Sequence, residues 1–344
     1  MDRHPKPTLG NEDAMNNSLT LIDGIEVGHA QNKEALTGCT VILCEKGATA
    51  GIDQRGGAPG TRETDLLQPS KLINKVHAIL LAGGSAYGLD AAGGVMRYLE
   101  EKDVGVNVGV AKVPIVPAAI LFDLAVGSSS VRPDAEMGYQ ACVNASSDEP
   151  AQGNVGAGTG ATVGKILGFG QTMKGGIGHA SASLSGGIKI AAMIAVNAFG
   201  DVINPADNQI IAGARSLAKG PVKIGGSGEF ADTLKVMNTF AGKAVLNIAQ
   251  RSNTVIGVVA TNAKLSKEEC AKLAEMAMNG LAQTIRPAST MLDGDTIFSL
   301  ATGKKKSDIN ILGAMAAEVC AAAVLSAIHS AESISDIPAA RDYP

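Results

Sequence analysis

Residues 255–261, Val-Ile-Gly-Val-Val-Ala-Thr, constrain the fold of this chain more than any other stretch. The run is short, apolar and rich in β-branched residues, and polar residues lead into it and out of it. That pattern is typical of a buried strand. The runs at residues 78–82 and 188–196 have a similar apolar character. The sequence therefore predicts buried strands at the centre of the protein.

Helical segments alternate with the predicted strands in both halves of the chain, which indicates an α/β fold. Strands are expected at residues 19–27, 38–44, 48–53, 78–82, 179–183, 188–196 and 255–261, and helices at residues 88–102, 134–143, 266–284 and 310–330. Ser266 is the expected N-cap of the third helix. The remaining segments are predicted as a flexible tail at residues 1–18, a polar linker with one or two helices at residues 205–251, and a second tail at residues 336–344.

The length and charge of the chain narrow the classes of function. With 344 residues, 45% of them hydrophobic, the chain is long enough to bury a large core. The net charge is −4 and no extended basic cluster is present. Nucleic acid is therefore not an expected partner, because a basic patch is the usual footprint of such binding.

The cysteines and the N-terminal segment bear on compartment, metals and membranes. Five scattered cysteines include no Cys-x-x-Cys pair and none at ligand spacing from a histidine. We expect free thiols in a reducing, cytoplasmic compartment and no metal site. Residues 1–18 are polar, which argues against a signal peptide, and no apolar stretch of 18 residues runs without glycine or charge. A membrane partner is not expected.

The junction between Asn253 and Thr254, just before the central strand, carries the first chemical signal. If that peptide bond were cut, Thr254 would hold a free α-amine beside its own hydroxyl, and the amine could serve as the base for that nucleophile. An α-amine has a reference pKa of about 7.7–8, so part of it is unprotonated at neutral pH. Taken alone, the Asn-Thr junction does not establish this chemistry, because a threonine that simply starts a strand accounts for the pattern.

A second signal lies downstream in residues 291–298, Met-Leu-Asp-Gly-Asp-Thr-Ile-Phe. Asp293 and Asp295 flank a glycine, so both carboxylates can point into one small space. The alternative is an Asx-type turn before a strand, which needs no chemistry.

Together, the Asn-Thr junction at the start of a strand and the downstream Asp-Gly-Asp-Thr motif resemble the self-cleaving N-terminal-nucleophile aminopeptidases. That family includes the L-aminopeptidase/D-amino-acid esterase-amidases, the β-peptidyl aminopeptidases and the nylon-oligomer hydrolases, and the resemblance runs from about residue 23 to residue 330. It implies an α/β/β/α sandwich of two packed sheets with helices outside. It also implies one catalytic domain, cut into residues 1–253 and 254–344.

The same resemblance implies the activity and assembly of the protein. Members hydrolyse small peptides or amides of L-, D-, β- or ω-amino acids through an acyl-enzyme, without a cofactor, and assemble into tetramers or larger homo-oligomers. Three other readings remain open at this point. They are an acyltransferase of the ornithine acetyltransferase type, whose Met-Ala-Thr junction is missing here, a non-catalytic small-molecule-binding protein, and a nucleotide-binding enzyme that uses the glycine-rich loops.

The resemblance also assigns roles to individual residues. Thr254 is the nucleophile, and Asp293 and Asp295 orient its hydroxyl and ammonium groups. Lys165 lies beside the nucleophile and its charge disfavours protonation of the α-amine. The side-chain N–H of Asn197 holds the developing oxyanion. From the residues alone, Lys165 is also compatible with a solvated surface lysine and Asn197 with a turn that ends a strand.

Three further residues are expected to contact substrate. Phe122 stands where the nylon-oligomer hydrolase has a tyrosine, so the hydroxyl of that tyrosine is missing here. Ser85 and Tyr87 follow a glycine pair in a segment that lies near the active-site cleft of the family. Gly83 and Gly84 also have a purely structural interpretation, because small residues allow a helix to pack closely on a strand, and no phosphate-loop or dinucleotide motif is present.

Overall fold

The computed structural model describes residues 17–217, 229–239 and 253–343, which form a mixed α/β structure around a large central sheet. The strands in these ranges are β1 Glu26–Asn32, β2 Thr37–Gln54, β3 Thr61–Arg62, β4 Val76–Ala82, β5 Val106–Asn107, β6 Lys112–Val113, β7 Ala118–Ile120, β8 Thr162–Val163, β9 Met173–Lys174, β10 Gly176–Leu184, β11 Ile188–Asn197, β12 Asp201–Ile203, β13 Ile210–Ala212, β14 Thr254–Ala263, β15 Ile285–Arg286 and β16 Thr296–Lys305. The α-helices are α1 Ala91–Glu101, α2 Ala135–Val143, α3 Thr233–Met237, α4 Lys267–Thr284 and α5 Ile309–Ser330.

Nine strands join in the central sheet in the order β10-β11-β14-β16-β2-β4-β7-β3, with β1 also paired to β2. The pairs β14–β16 and β4–β7 are parallel, and the other neighbours are antiparallel. Strand β2 is 18 residues long and belongs to both halves of the sheet. Its first part pairs with β1 and β4, and its last part, residues 49–54, pairs with β16.

One apolar cluster contains residues from both halves of the sheet. Ile42 and Leu81, from β2 and β4, belong to the same buried cluster as Met193, Val258 and Phe298 from β11, β14 and β16. The long strand β2 therefore connects two halves that share one core. That burial accounts for much of the apolar character of β14.

Two other clusters join the helices to the remaining faces of the sheet. Val259 and Ile194 belong to the cluster of helices α4 and α5, whereas Val41 and Leu80 belong to the cluster of α1 and α2. Residues of β14 thus contribute alternately to two cores, with Val258 in one and Val259 in the other. A strand buried on both faces reads as a continuous apolar run, and this explains the sequence of residues 255–261.

The predicted α/β fold is confirmed, and several predicted elements agree closely with the structure. Asp134 and Ser266 cap helices α2 and α4 with their side chains, and Ser266 forms a capping box with Glu269. Helix α5 is long and apolar enough to cross a membrane by length and composition alone, but 61% of its apolar window is buried inside the protein. It packs against the sheet as a core helix.

Three predicted elements are wrong. Residues 19–27 form a 3-10 turn at Leu19–Leu21 before β1 begins at Glu26, because Ser18 caps that turn with its side chain. The two strands expected at residues 38–44 and 48–53 are the single strand β2. The C-terminal segment is not a loose tail, since Ala339 is fully buried and the carbonyl of Pro338 accepts the N–H of Lys174 at 2.8 Å.

Two other predicted segments fall wholly or partly outside the described residues. Residues 1–16 of the predicted N-terminal tail are among them, as are residues 218–228 and 240–251 of the predicted linker. The described part of that linker contains β13 and the short helix α3.

Candidate active site

Thr254 is the first residue of β14 and only 3% of its surface is exposed. The antiparallel register with β11 places Asn197, the last residue of that strand, opposite Thr254. On the other side, Asn253 forms a parallel bridge with Asp293, just before β16. Three segments that are distant in sequence therefore meet at the Asn253–Thr254 peptide bond.

The carbonyl group of Asn253 lies between two donors. The Thr254 hydroxyl makes a short hydrogen bond to the Asn253 oxygen, and the backbone N–H of Gly294 donates to the same oxygen at 3.0 Å. A Cβ on Gly294 would lie 2.9 Å from Thr254 Oγ1 and 2.6 Å from the carbonyl oxygen of Ala58. Glycine is therefore required for the backbone to come this close to the threonine.

The loop at residues 55–60 holds the Asp-Gly-Asp turn in place. The N–H of Ala58 donates to the Asp293 carbonyl at 2.8 Å, and the N–H of Arg55 donates to the Asp295 carbonyl at 3.0 Å. A Cβ on Gly56 would lie 2.0 Å from the Asp293 carbonyl oxygen. The glycines of this loop allow two backbone segments to touch along the turn.

Asp295 is buried and accepts hydrogen bonds from strand β14 and from the loop that precedes the Asp-Gly-Asp turn. Its Oδ1 accepts the N–H of Val255 at 2.8 Å, and its Oδ2 accepts the N–H and hydroxyl of Ser289 at 2.8 and 3.1 Å. Burial raises the pKa of this carboxyl group, and the neighbouring Asp293 carboxylate raises it further, because like charges disfavour ionisation.

Asp293 is equally buried and has a separate set of donors. Its Oδ2 accepts the N–H of Thr290 at 3.0 Å and the Thr290 hydroxyl at 2.5 Å, and its Oδ1 accepts the N–H of Phe199 at 3.3 Å. Burial raises the pKa of Asp293, and these hydrogen bonds oppose the rise. Both carboxylates therefore border the junction, but they bind Val255, Ser289, Thr290 and Phe199 and make no described hydrogen bond to Thr254 itself.

Lys165 is buried and reaches Asn197. Its ammonium donates to the backbone carbonyl and to the side-chain Oδ1 of Asn197, both at 2.8 Å. Burial lowers the pKa of Lys165 to about 7, and the carboxylates of Asp293, Asp123 and, to a smaller degree, Asp295 act in the opposite direction. The alternative interpretation of Lys165, a solvated surface lysine, is excluded because the side chain lies inside the protein.

The side chain of Asn197 is held at both ends. Its Oδ1 also accepts the N–H of Thr162 at 3.0 Å, and its Nδ2 donates to the carbonyl of Phe122 at 3.0 Å. One of the two N–H groups of Nδ2 therefore donates to the Phe122 carbonyl, and the other is left as a further hydrogen-bond donor. The Phe122 ring is half-buried and lies 6.5 Å, centroid to centroid, from the ring of Phe169.

Ser85 and Tyr87 have no described contact with this cluster. The N–H of Ser85 donates to the Leu121 carbonyl at 3.0 Å, and the exposed Tyr87 ring lies under the guanidinium of Arg132 at 4.1 Å. The N–H of Gly84 donates to the buried carboxylate of Asp123 at 2.7 Å. Because a carboxylate already occupies that donor, the glycine pair is unsuited to hold a phosphate, which disfavours the nucleotide-binding interpretation.

The structure therefore brings six of the predicted residues together, and they border one buried region: Asn253, Thr254, Asp293, Asp295, Lys165 and Asn197. Sequence reasoning missed the Gly294 N–H and the residues that hold the carboxylates, Ser289 and Thr290. The Ser-Thr dipeptide just before the Asp-Gly-Asp motif was a usable signal, because hydroxyl residues commonly bind nearby carboxylates. A backbone N–H leaves no such signal.

Comparisons with known proteins bear on the family of the chain. A family model described as peptidase family S58 matches residues 17–340. An uncharacterized aminopeptidase of Mycobacterium tuberculosis is 42% identical in an alignment 354 residues long, which covers 95% of this chain and 97% of the relative. A 6-aminohexanoate-oligomer endohydrolase of Kocuria sp. is 32% identical over 317 residues, covering 88% of this chain and 84% of the relative.

Solved structures extend the comparison to the fold. The L-aminopeptidase D-Ala-esterase/amidase of Ochrobactrum anthropi, described as a new variant of the Ntn hydrolase fold, superposes with a TM-score of 0.66. Sequence identity is 18%, and the match covers 94% of this chain and 88% of that protein. At this identity the comparison supports the fold alone.

The buried ammonium of Lys165 leads to a prediction about stability. The folded-state pKa of about 7 lies below the ordinary lysine pKa of 10.5, so between these pH values the unfolded chain binds a proton that the folded protein lacks. The contribution of Lys165 to the free energy of unfolding therefore rises with pH in this window, by about 1 kcal/mol per pH unit. Denaturant unfolding of the wild type and of Lys165→Met at pH 6, 7.5 and 9 measures it.

Lys165→Met leaves every other titrating side chain in place, so the difference between the two proteins reports the titration of this lysine together with its effect on the pKa of Asp293. We expect the wild type to gain stability relative to the variant from pH 7.5 to 9. A constant difference across that range contradicts a lowered pKa for Lys165.

Proposed function

This chain belongs to peptidase family S58, and we propose that within this family of aminopeptidases and amidases it is a self-processing amidohydrolase with an N-terminal threonine nucleophile. The observation that carries the proposal is the position of the Thr254 hydroxyl against the carbonyl group of Asn253, with the Gly294 N–H on the same oxygen. A nucleophile and an oxyanion donor converge on one peptide bond. A threonine that merely starts a strand needs neither.

In the processing step, Thr254 Oγ1 attacks the Asn253 carbonyl carbon. The Gly294 N–H stabilises the oxygen of the tetrahedral intermediate, because that oxygen gains negative charge as the new bond forms. The C–N bond then breaks, and the α-amine of Thr254 takes the proton that the attacking hydroxyl has lost. An ester now joins the Asn253 carbonyl carbon to Thr254 Oγ1. Water hydrolyses the ester, which leaves a carboxylate on Asn253 and a free amine on Thr254.

In turnover, the α-amine of Thr254 accepts the hydroxyl proton while Oγ1 attacks the carbonyl of a small peptide or amide substrate. The tetrahedral oxygen is held by the second N–H of Asn197 Nδ2 and by backbone donors of the site. The ammonium protonates the leaving amine, and water then releases the acyl group from Oγ1. The substrate class is that of L-, D-, β- or ω-amino-acid amides.

The charged residues around the junction support this chemistry. Lys165 fixes Asn197 through two hydrogen bonds of 2.8 Å, and its positive charge disfavours protonation of the nearby α-amine. Asp295 holds the strand at Val255, one residue after the nucleophile, and Asp293 holds the turn beside Asn253. Once the bond is cut, the freed amine lies near both carboxylates, and they orient the ammonium form.

The proposal includes the fold type and the compartment. We assign the chain to the α/β/β/α sandwich of the N-terminal-nucleophile hydrolases. Support comes from the shared core of the two sheet halves and from the helix clusters on their other faces. All five cysteines are buried free thiols, which supports a reducing, cytoplasmic compartment. The half-buried Phe122 and Phe169 rings are proposed to contact substrate, and the exposed Tyr87 is left without a role.

Self-processing predicts two fragments from the 34.8 kDa chain. The smaller fragment begins with Thr254, and the two have masses of roughly 26 and 9 kDa in proportion to length. Intact-mass measurement and N-terminal sequencing of the purified protein test this. Thr254→Ala is expected to remain one chain without amidase activity, since both reactions use the same oxygen. An uncut wild type with full activity contradicts the proposal.

Gly294 provides a sharper test of the processing geometry. Gly294→Ala adds a Cβ 2.9 Å from Thr254 Oγ1 and 2.6 Å from the Ala58 carbonyl, so the nucleophile or the turn must move. We expect processing to slow by at least tenfold in a time course of fragment formation. Gly93→Ala is the matched control, because a Cβ there meets nothing within 4 Å and the site lies in helix α1. Equal processing rates in both variants contradict the assigned geometry.

The proposed mechanism predicts a loss of activity when any of the four polar residues around Thr254 is replaced. We expect Asp293→Asn, Asp295→Asn, Lys165→Ala and Asn197→Ala each to lower kcat/KM by about 10²–10³, the usual effect of removing one stabilising hydrogen-bond partner. The measurement is kcat/KM on a panel of small p-nitroanilides, expressed per mole of enzyme with a free Thr254 N-terminus. Circular dichroism is the folding control. Near-normal rates in three of the four variants place the active site elsewhere.

A further inference from the structure

A second buried lysine lies behind the site and has no role in the chemistry described above. Lys174, in the short strand β9, has no exposed surface. Its ammonium donates to three backbone carbonyls, those of Ala161 at 2.7 Å, Gly158 at 3.2 Å and Gly175 at 3.3 Å. Removing a charged side chain from water is costly unless it is well bound, so its location calls for an explanation.

One peptide group links Lys174 to Asn197. The peptide between Ala161 and Thr162 receives the Lys174 ammonium on its carbonyl at 2.7 Å, and its N–H donates to Asn197 Oδ1 at 3.0 Å. Strand pairing between β8 and β9 sets Thr162 opposite Lys174, and the N–H of Gly175 also binds the Ala161 carbonyl at 2.9 Å. The path from the ammonium to the Asn197 amide thus contains two hydrogen bonds and one peptide.

A cation on the carbonyl of a peptide makes its N–H a stronger donor, because hydrogen bonds in a chain polarise one another, by about 10–30% per bond. The stronger donor in turn polarises the Asn197 amide and strengthens its own N–H groups. The same contacts fix the plane of the amide. Because Asn197 Nδ2 has to meet an oxyanion whose position is set by Thr254, a small rotation of that plane weakens the interaction.

We propose, on the basis of the function proposed above, that Lys174 is a positioning residue for catalysis that orients and polarises Asn197 through the Ala161–Thr162 peptide. It touches neither the nucleophile nor the substrate. Its contribution is to the rate of the chemical step and not to substrate binding.

Two other charged groups face Lys174. Burial lowers the pKa of Lys174 to about 7, and the negative charge of Asp123, whose Oδ2 lies beside Gly160, acts in the opposite direction and favours the ammonium form. Lys165 is the second group, and the positive charge of Lys174 lowers the pKa of Lys165 slightly. A competing account is therefore that Lys174 acts on the charge of Lys165 and not on Asn197.

Lys267 offers a matched control. It is also buried, and its ammonium also donates to three backbone carbonyls, those of Leu66, Lys71 and Ile73, at 2.9 to 3.0 Å. None of these contacts leads to Asn197. Lys174→Met and Lys267→Met remove the same chemical group from similar surroundings, so a loss due to folding alone affects both proteins.

The experiment measures kcat and KM of the processed enzyme per mole of free Thr254 N-terminus. We expect Lys174→Met to lower kcat about 10–100-fold, the range found for outer supports of active-site ligands, with KM little changed. Lys267→Met is expected to keep the wild-type kcat. Equal kcat values for the two variants overturn the proposal.

A double-mutant cycle then identifies the route. If Lys174 acts through Asn197, Lys174→Met causes no further loss in an Asn197→Ala background, because the amide it serves is gone. A loss that persists there overturns the proposal and favours the effect on Lys165. A normal rate for Asn197→Ala alone shows instead that the proposed function has misassigned Asn197. Lys174→Gln, which keeps an amide donor, goes through the same cycle in case the methionine variant does not fold.

Discussion

The pairing of β14 with its two neighbours is the constraint on which the rest of the site depends. The antiparallel register with β11 sets Asn197 opposite Thr254, and the parallel pairing with β16 brings the Asp-Gly-Asp turn beside Asn253. Gly257 helps to define that register, because a Cβ there would lie 2.3 Å from the side chain of Ile194, its direct partner on β11. A shift by one residue would place Ile256 or Val258 opposite Ile194 and turn every side chain of β14 to the opposite face.

Buried charge is the second feature that organises this region. Three carboxylates, those of Asp123, Asp293 and Asp295, and two ammonium groups lie in the interior of this region, and burial displaces the pKa of each toward its neutral form. Their ligands are mostly backbone N–H and C=O groups, which lie on strands and tight turns and cannot rotate away. Such groups reduce stability compared with apolar residues of similar size. Their retention fits a site whose electrostatics must be in place before the reaction begins.

Close approach of backbone segments is the third feature. Gly56 and Gly294 lie where the loop at residues 55–60, the Asp-Gly-Asp turn and the Thr254 strand meet, and a Cβ at either position would overlap a neighbouring carbonyl oxygen. Because glycine allows this approach, the backbone N–H of Gly294 reaches the Asn253 carbonyl. A side-chain donor in the same place would need further contacts to hold it. The abundance of glycine in this chain, 42 residues, thus includes positions that the geometry of the site requires.

Local patterns in the sequence determined the elements of this protein, and long-range pairing decided how they meet. The apolar run after Thr254, the Ser266 N-cap and the last helix, predicted at residues 310–330, depend on neighbours within a few residues, so periodicity and capping predicted them. The resemblance to a family marked Thr254, Lys165 and the two aspartates. Only the tertiary structure showed that one long strand, β2, replaces two, that the Gly294 N–H meets the Asn253 carbonyl, and that Lys174 stands behind Asn197. These contacts join residues far apart in sequence through backbone atoms, which are the same in every residue and therefore leave no trace in the sequence.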